Sequence, residues 1–149
     1  MRPAARMATR PVVATGAIMR VLAAEVLVRA TRLPTMARLM GAPLSSASEL
    51  STLAVTSPAS LDLTESERRR LRAVGHALHR SPFGSTCLRR ALCAGNVLRR
   101  RRPRLVVGVA KHDGAVSAHA WIVVGGVNLD PDGSADFRPL TFDRGSVPA

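Results

Sequence analysis

The chain has 149 residues, 46% of them hydrophobic, which fits one folded domain with a core and excludes two sizeable ones. Only 3% of residues are aromatic, with no tyrosine and one tryptophan, so the core must be built mainly from Ala, Leu and Val. The net charge of +12 is nearly all arginine, with Lys111 the one lysine; this bias reads partly as the arginine and alanine enrichment of high-GC coding, so the charge overstates a role in binding acidic partners.

Met1 to Arg10 is basic and free of acids, and Val12 to Val28 is rich in apolar residues. Arg20 and Glu25 interrupt that run, leaving fewer than the roughly 20 residues a spanning helix needs, and no small-residue cleavage site follows. The expectation is a cytoplasmic protein with no membrane span and no secretion signal. Residues 1–11 are expected to be a disordered tail and 12–60 an N-terminal helical segment. Within it, Gly16 to Val28 reads as a mostly buried helix, Thr35 to Met40 as a short one, and Gly41 to about Pro58 as a loop.

Residues 61–149 are expected to form the core unit, the whole chain being one compact domain. Thr64 caps a helix that runs to about Arg80, with Glu67 completing a capping box. Ser81-Pro82-Phe83-Gly84 breaks it. Ser85 or Thr86 then caps a second helix, which begins at Cys87 and ends near Arg101, before Pro103. Strands follow at Arg104 to Ala110, Ser117 to Val124 and Val127 to Leu129, joined by turns at Asp113-Gly114 and Gly125-Gly126. Helices followed by a meander imply an α+β fold.

A thiol at a helix start, an imidazole on a strand (His119) and a carboxylate after the next strand (Asp130) are the parts of a cysteine nucleophile site. Unpaired N–H groups and the positive end of a helix dipole favour the nucleophilic form of a thiol placed there. An imidazole takes the thiol proton and returns it to a leaving amine, and a carboxylate on its other nitrogen fixes the tautomer. Asp132 stands close enough in sequence to substitute for Asp130. The same residues also fit an inert buried cysteine and a satisfied core histidine. Strand alternation puts Trp121 on the His119 face, either shielding that pair from water or simply filling the core.

Cys87 and Cys93 on one helix lie about 9 Å apart at Cα, beyond disulfide reach, so both are expected to stay unpaired, Cys93 as a small buried apolar residue. No metal site and no cofactor is expected, since Cys-x-x-Cys and His-Glu-x-x-His are absent and His76 with His79 is only an i, i+3 pair. Arg68, Arg69, Arg70 and Arg72, and Arg99 to Arg102 with Arg104, form basic clusters without interleaved aromatics, which argues against nucleic acid and for solvated faces or partner docking.

Cys87-Leu88 with Arg90 and Leu92, Leu105 to Val109, Ala118-His119-Ala120-Trp121 and Phe137-Arg138-Pro139-Leu140 together resemble the leader peptidases of lasso-peptide biosynthesis, over roughly residues 60 to 142. The chain departs from that pattern at Arg89, where proline is frequent, and at Val123, where glutamate is. The resemblance implies a papain/transglutaminase-like fold, with N-terminal helices and a cysteine-bearing helix packed on a small antiparallel sheet. It implies a cysteine peptidase with Cys87, His119 and Asp130 as catalytic residues, which removes the leader of a ribosomally made lasso precursor before macrolactam cyclisation. Its implied partners are the precursor, a separate leader-recognition protein, since the first 60 residues show no run of strands, and the ATP-dependent cyclase. Papain-like sites often place a glutamine in the oxyanion hole, yet this chain contains none. The Cys87 N–H is therefore expected to supply one donor, and Ser81, Ser85 or Thr86 another. A transglutaminase-like acyltransferase and a non-catalytic basic scaffold are the rival readings.

Overall fold

In the computed structural model, which describes residues 4–46, 49 and 61–141, the helices come first and the sheet second, as an α+β chain should. Helices α1 (Ala4–Ala30), α2 (Leu33–Leu39), α3 (Glu65–His79) and α4 (Cys87–Val97) precede strands β1 (Arg104–His112), β2 (Ala115–Val124) and β3 (Val127–Asn128). A one-turn helix, α5 (Pro131–Ser134), and strand β4 (Arg138–Pro139) complete the described fold, and neither was expected from the sequence. The sheet order is β3-β2-β1-β4, every pairing antiparallel.

The first hairpin extends its strands beyond their expected ends, whereas β3 stops at Asn128, one residue short of the expected Leu129. Asp113 and Gly114 both take positive φ, 50° and 82°, a left-handed pair that matches strand twist and carries the β1–β2 ladder out to His112 and Ala115. Alternation then sorts β2 onto two faces. Ala120, Ile122 and Val124 join Leu105 and the helices in the main core, whereas Trp121 and Val123 join Val106 and the half-buried Phe137 in a smaller cluster behind the sheet. Gly108 lets that second cluster close: a Cβ there would lie 2.8 Å from the Trp121 ring and 3.0 Å from Phe137 Cβ and the Arg138 carbonyl.

The N-terminal helix corrects two expectations. Residues 4–11, expected as a disordered tail, are helical backbone, consistent with Ala4-Ala5-Arg6-Met7-Ala8 being strong helix formers. Nor is α1 mostly buried. Ala17, Val21 and Ala24 form one covered stripe, while Val12, Met19 and Val26 stay exposed, because α3 and α4 cover one side of the helix only. The loop expected from Gly41 is tied to the sheet at its start, where Pro43 O and Ser45 N bond Leu105 at 2.9 Å each. Its remainder, 47–48 and 50–58, lies outside the described residues.

Local capping is as the sequence prescribes for α3: Thr64 N donates to Glu67 Oε2 at 2.8 Å and Glu67 N to Thr64 Oγ1 at 3.3 Å. The Cys87 helix ends earlier than expected, at Val97, and tightens into a 3-10 turn, Arg99–Arg101, before Arg102 turns left-handed (φ 53°) into buried Pro103. Glu67 accounts for the tightening, since its carboxylate grips Arg101 through two bonds of 2.7 Å. That grip, against the opposing effect of burial and with help from Thr64, lowers the Glu67 pKa from 4.5 to about 2. A carboxylate whose native pKa lies below its unfolded one contributes stability above the unfolded value and loses it as pH falls through the native one. Between about pH 6 and pH 2, urea titration should therefore show a larger loss of stability in the wild type than in Glu67→Gln.

Candidate cysteine active site

Cys87 is the first residue of α4. Ser81 Oγ accepts from Phe83 N at 3.3 Å, and Thr86, extended at φ −79° and ψ 155°, accepts from Arg89 N at 3.4 Å, so the loop is capped on either side of Gly84. The first turn of the helix is lashed to α1. Arg89 Nε donates to Glu25 Oε2 at 2.7 Å in a pair whose side chains are 15% and 5% exposed. The other Glu25 oxygen lies 2.7 Å from Arg29 Nη2, an ion pair that falls short of hydrogen-bond geometry, and the Arg29 guanidinium sits 5.1 Å from the Phe83 ring centroid. Thus Arg89, one of the two departures from the lasso-peptidase pattern, joins α1 to the cysteine helix.

His119 lies on β2 opposite Gly108. The β3 ladder covers only Val123 and Val124, which leaves the β2 edge at His119 open to the start of α4 and to the segment after β3. From that segment Asp130 Oδ2 meets His119 Nε2 at 2.8 Å. With the carboxylate ionised, Nε2 carries the proton and Nδ1 is the basic nitrogen. Trp121 stacks on the imidazole at 5.8 Å and 21°, and Phe137 tilts over it at 5.0 Å. Trp121 is 6% exposed, so it both fills the second core and backs the histidine.

Cys87, His119 and Asp130 open on one cavity of about 220 Å³, and Arg90 stands on the same wall. No hydrogen bond joins Cys87 to His119 among the described residues; such contacts are often loose before substrate binds. Residues 20–141 match the transglutaminase-like superfamily. The chain belongs to that superfamily. Comparison with curated proteins and with solved structures returns no match.

In this transglutaminase-like chain the helix start, the strand and the loop after it meet on that one cavity. Sequence reasoning missed the groups that hold Asp130. Asp130 N donates to Asn128 Oδ1 at 2.9 Å, Asn128 Nδ2 to Ser134 Oγ at 2.7 Å, and Ser134 Oγ to the Asp130 carbonyl at 2.7 Å. The one available signal was Asp130-Pro131 with Ser134 four residues on, a helix-start pattern. The side chain of Asp132 lies outside the described residues. Of the three hydroxyls considered as oxyanion donors, Thr86 is engaged as a cap and Ser81 as a turn acceptor, and none of them lines the cavity. Both cysteines are free. Burial raises Cys93 to about 11, and its thiol faces the Arg20 carbonyl at 3.7 Å. No group of three or more His, Cys, Asp or Glu among the described residues is placed to hold a metal, and no described helix is long and apolar enough to cross a membrane.

Mass mapping after brief iodoacetamide treatment near pH 8 should find Cys87 modified and Cys93 untouched until the chain unfolds. Glu25→Ala leaves Arg89 buried without its partner and should lower stability by about 3 kcal/mol in a urea titration, with Arg89→Ala comparable.

Proposed function

We propose that this chain is a cysteine peptidase that removes the leader from a ribosomally made lasso-peptide precursor, using Cys87, His119 and Asp130. The observation that carries the reading is the 2.8 Å His119–Asp130 bond on the wall of the cavity that Cys87 shares. The superfamily match supports thiol chemistry of the peptidase and acyltransferase kind, and the lasso assignment rests on the residues that resemble that group, Ala118-His119-Ala120-Trp121 above all.

In the proposed reaction Cys87 Sγ attacks the carbonyl of the last leader residue while its proton passes to His119 Nδ1. The oxyanion accepts from the Cys87 backbone N–H, an unpaired group at the helix start. His119 returns the proton to the departing amine, the new N-terminus of the core peptide, leaving the leader as a thioester. Water, relieved of a proton by His119, then attacks the thioester, and the leader leaves as a carboxylic acid with the thiol restored. The freed amine is the group a separate ATP-dependent cyclase joins to an acidic side chain. Leader recognition is assigned to a partner protein docking in trans, on the arginine-rich faces of α3 and the 3-10 turn.

The superfamily match also favours a second reading, transfer of the acyl group to an amine in place of water; the product then gains the mass of the amine. Precursor incubated with its recognition protein and this chain, analysed by mass spectrometry, should yield free leader and core with the wild type and neither with Cys87→Ala. His119→Ala should slow release by roughly 10²–10⁴-fold and Asp130→Asn by about 10²-fold or more, with Asp132→Asn unaffected. Equal release by Cys87→Ala would refute the proposal.

A further inference from the structure

The stripe of α3 that faces the cavity reads Leu71, Val74, Gly75, Leu78, spaced i, i+3, i+4, i+7, and all four residues line it. Three carry branched apolar side chains. Gly75 carries none, in the middle of a helix, where glycine is the poorest residue after proline. A glycine in a helix is usually explained by close packing, as at Gly95, where a Cβ would lie 2.5 Å from Ala42 Cβ. At Gly75 a Cβ would meet nothing within 4 Å. Neither packing nor a turn requires glycine there; Gly75 is exposed, and what its missing side chain leaves is open space at the solvent-reached side of the cavity that Cys87 also lines.

We propose that Gly75 is a specificity-determining residue, keeping open a notch that takes a bulky aliphatic side chain of the peptide cut at Cys87. The proposal rests on the peptidase reading above. Elsewhere on the cavity wall Val74, Leu78, Ala91, Ala120 and Ile122 are buried and apolar. The charged groups on the cavity wall are Arg90 and Asp130, and Asp130 is engaged by His119. A basic side chain entering here would lose its water with Asp130 already engaged, and an acidic one would be drawn to Arg90 and away from the apolar wall. A glycine or alanine would leave the space unfilled, and a leucine-sized group would bury its apolar surface.

The test uses three peptide chloromethyl ketones, acetyl-Leu-Gly, acetyl-Gly-Leu and acetyl-Gly-Gly, each of which forms a thioether with Cys87 and releases chloride, followed by intact mass. At least one leucine reagent should label the wild type about tenfold or more faster than the Gly-Gly reagent. Gly75→Leu should abolish that preference, read as the ratio of leucine-reagent to Gly-Gly rates within the same variant, and Gly75→Ala, a better helix former, should reduce it in a chain at least as stable. Equal labelling by all three reagents in the wild type, or a preference that survives Gly75→Leu, overturns the proposal. His119→Ala checks the peptidase reading separately: iodoacetamide labelling of Cys87 as fast as in the wild type would sink that reading whatever Gly75 does.

Discussion

The packing of α4 against the helix-facing side of β2 is the constraint from which the rest of the site follows. Leu92, Cys93 and Val97 of α4 pack in one core with Ala120, Ile122 and Val124 of β2. Each large apolar side chain buried there contributes about 1.5–3 kcal/mol. Because Cys87 is the first residue of that helix and His119 lies on that strand, the depth and register of this contact set where thiol and imidazole stand. Small residues at Ala91 and Gly95 let the helix approach closely, and Ala42 packs into the space at Gly95.

Two further supports converge on the same point from outside that contact. Glu25 and Arg89 bind α1 to the first turn of α4, and Arg29 reaches the loop just before it through Phe83. Behind the sheet Trp121 and Phe137 pack on the imidazole, while Asn128 and Ser134 bond the backbone of Asp130, whose carboxylate meets it. Cys87 is thus fixed by a core and an ion pair on the helix side of the sheet, and His119 and Asp130 by aromatic packing behind it and a hydrogen-bonded turn after β3.

What was legible in the sequence was local. The Thr64–Glu67 capping box, the Thr86 cap, the helix start at Cys87 and the hairpin residues Asp113-Gly114 each state their structure within four or five residues, and each appears as the pattern prescribes. That His119 would meet a carboxylate from the following segment was legible, but not the choice of Asp130 over Asp132. What failed depended on distant contacts. Apolar content along α1 does not say which faces a neighbour will cover, so the exposed side at Met19 and Val26 was invisible. The 3-10 ending of the cysteine helix depends on Arg101 meeting Glu67, 34 residues earlier in the chain. Asn128 and Ser134 are ordinary loop residues until α5 folds one against the other, and β4 exists only because Arg138 and Pro139 find β1.

The superfamily match fits thiol chemistry of the peptidase and acyltransferase kind, and the proposed reading directs that chemistry toward water and a peptide. The central claim is that an acyl group resides on Cys87 during turnover. Acid quenching of the chain at short times with precursor and recognition protein, followed by intact mass and peptide mapping, tests it most directly. The account predicts a population heavier by the leader acyl mass, mapped to Cys87 and discharged by hydroxylamine. Leader release with no acyl group on the chain at any quench time, or with the acyl group on another residue, would contradict it.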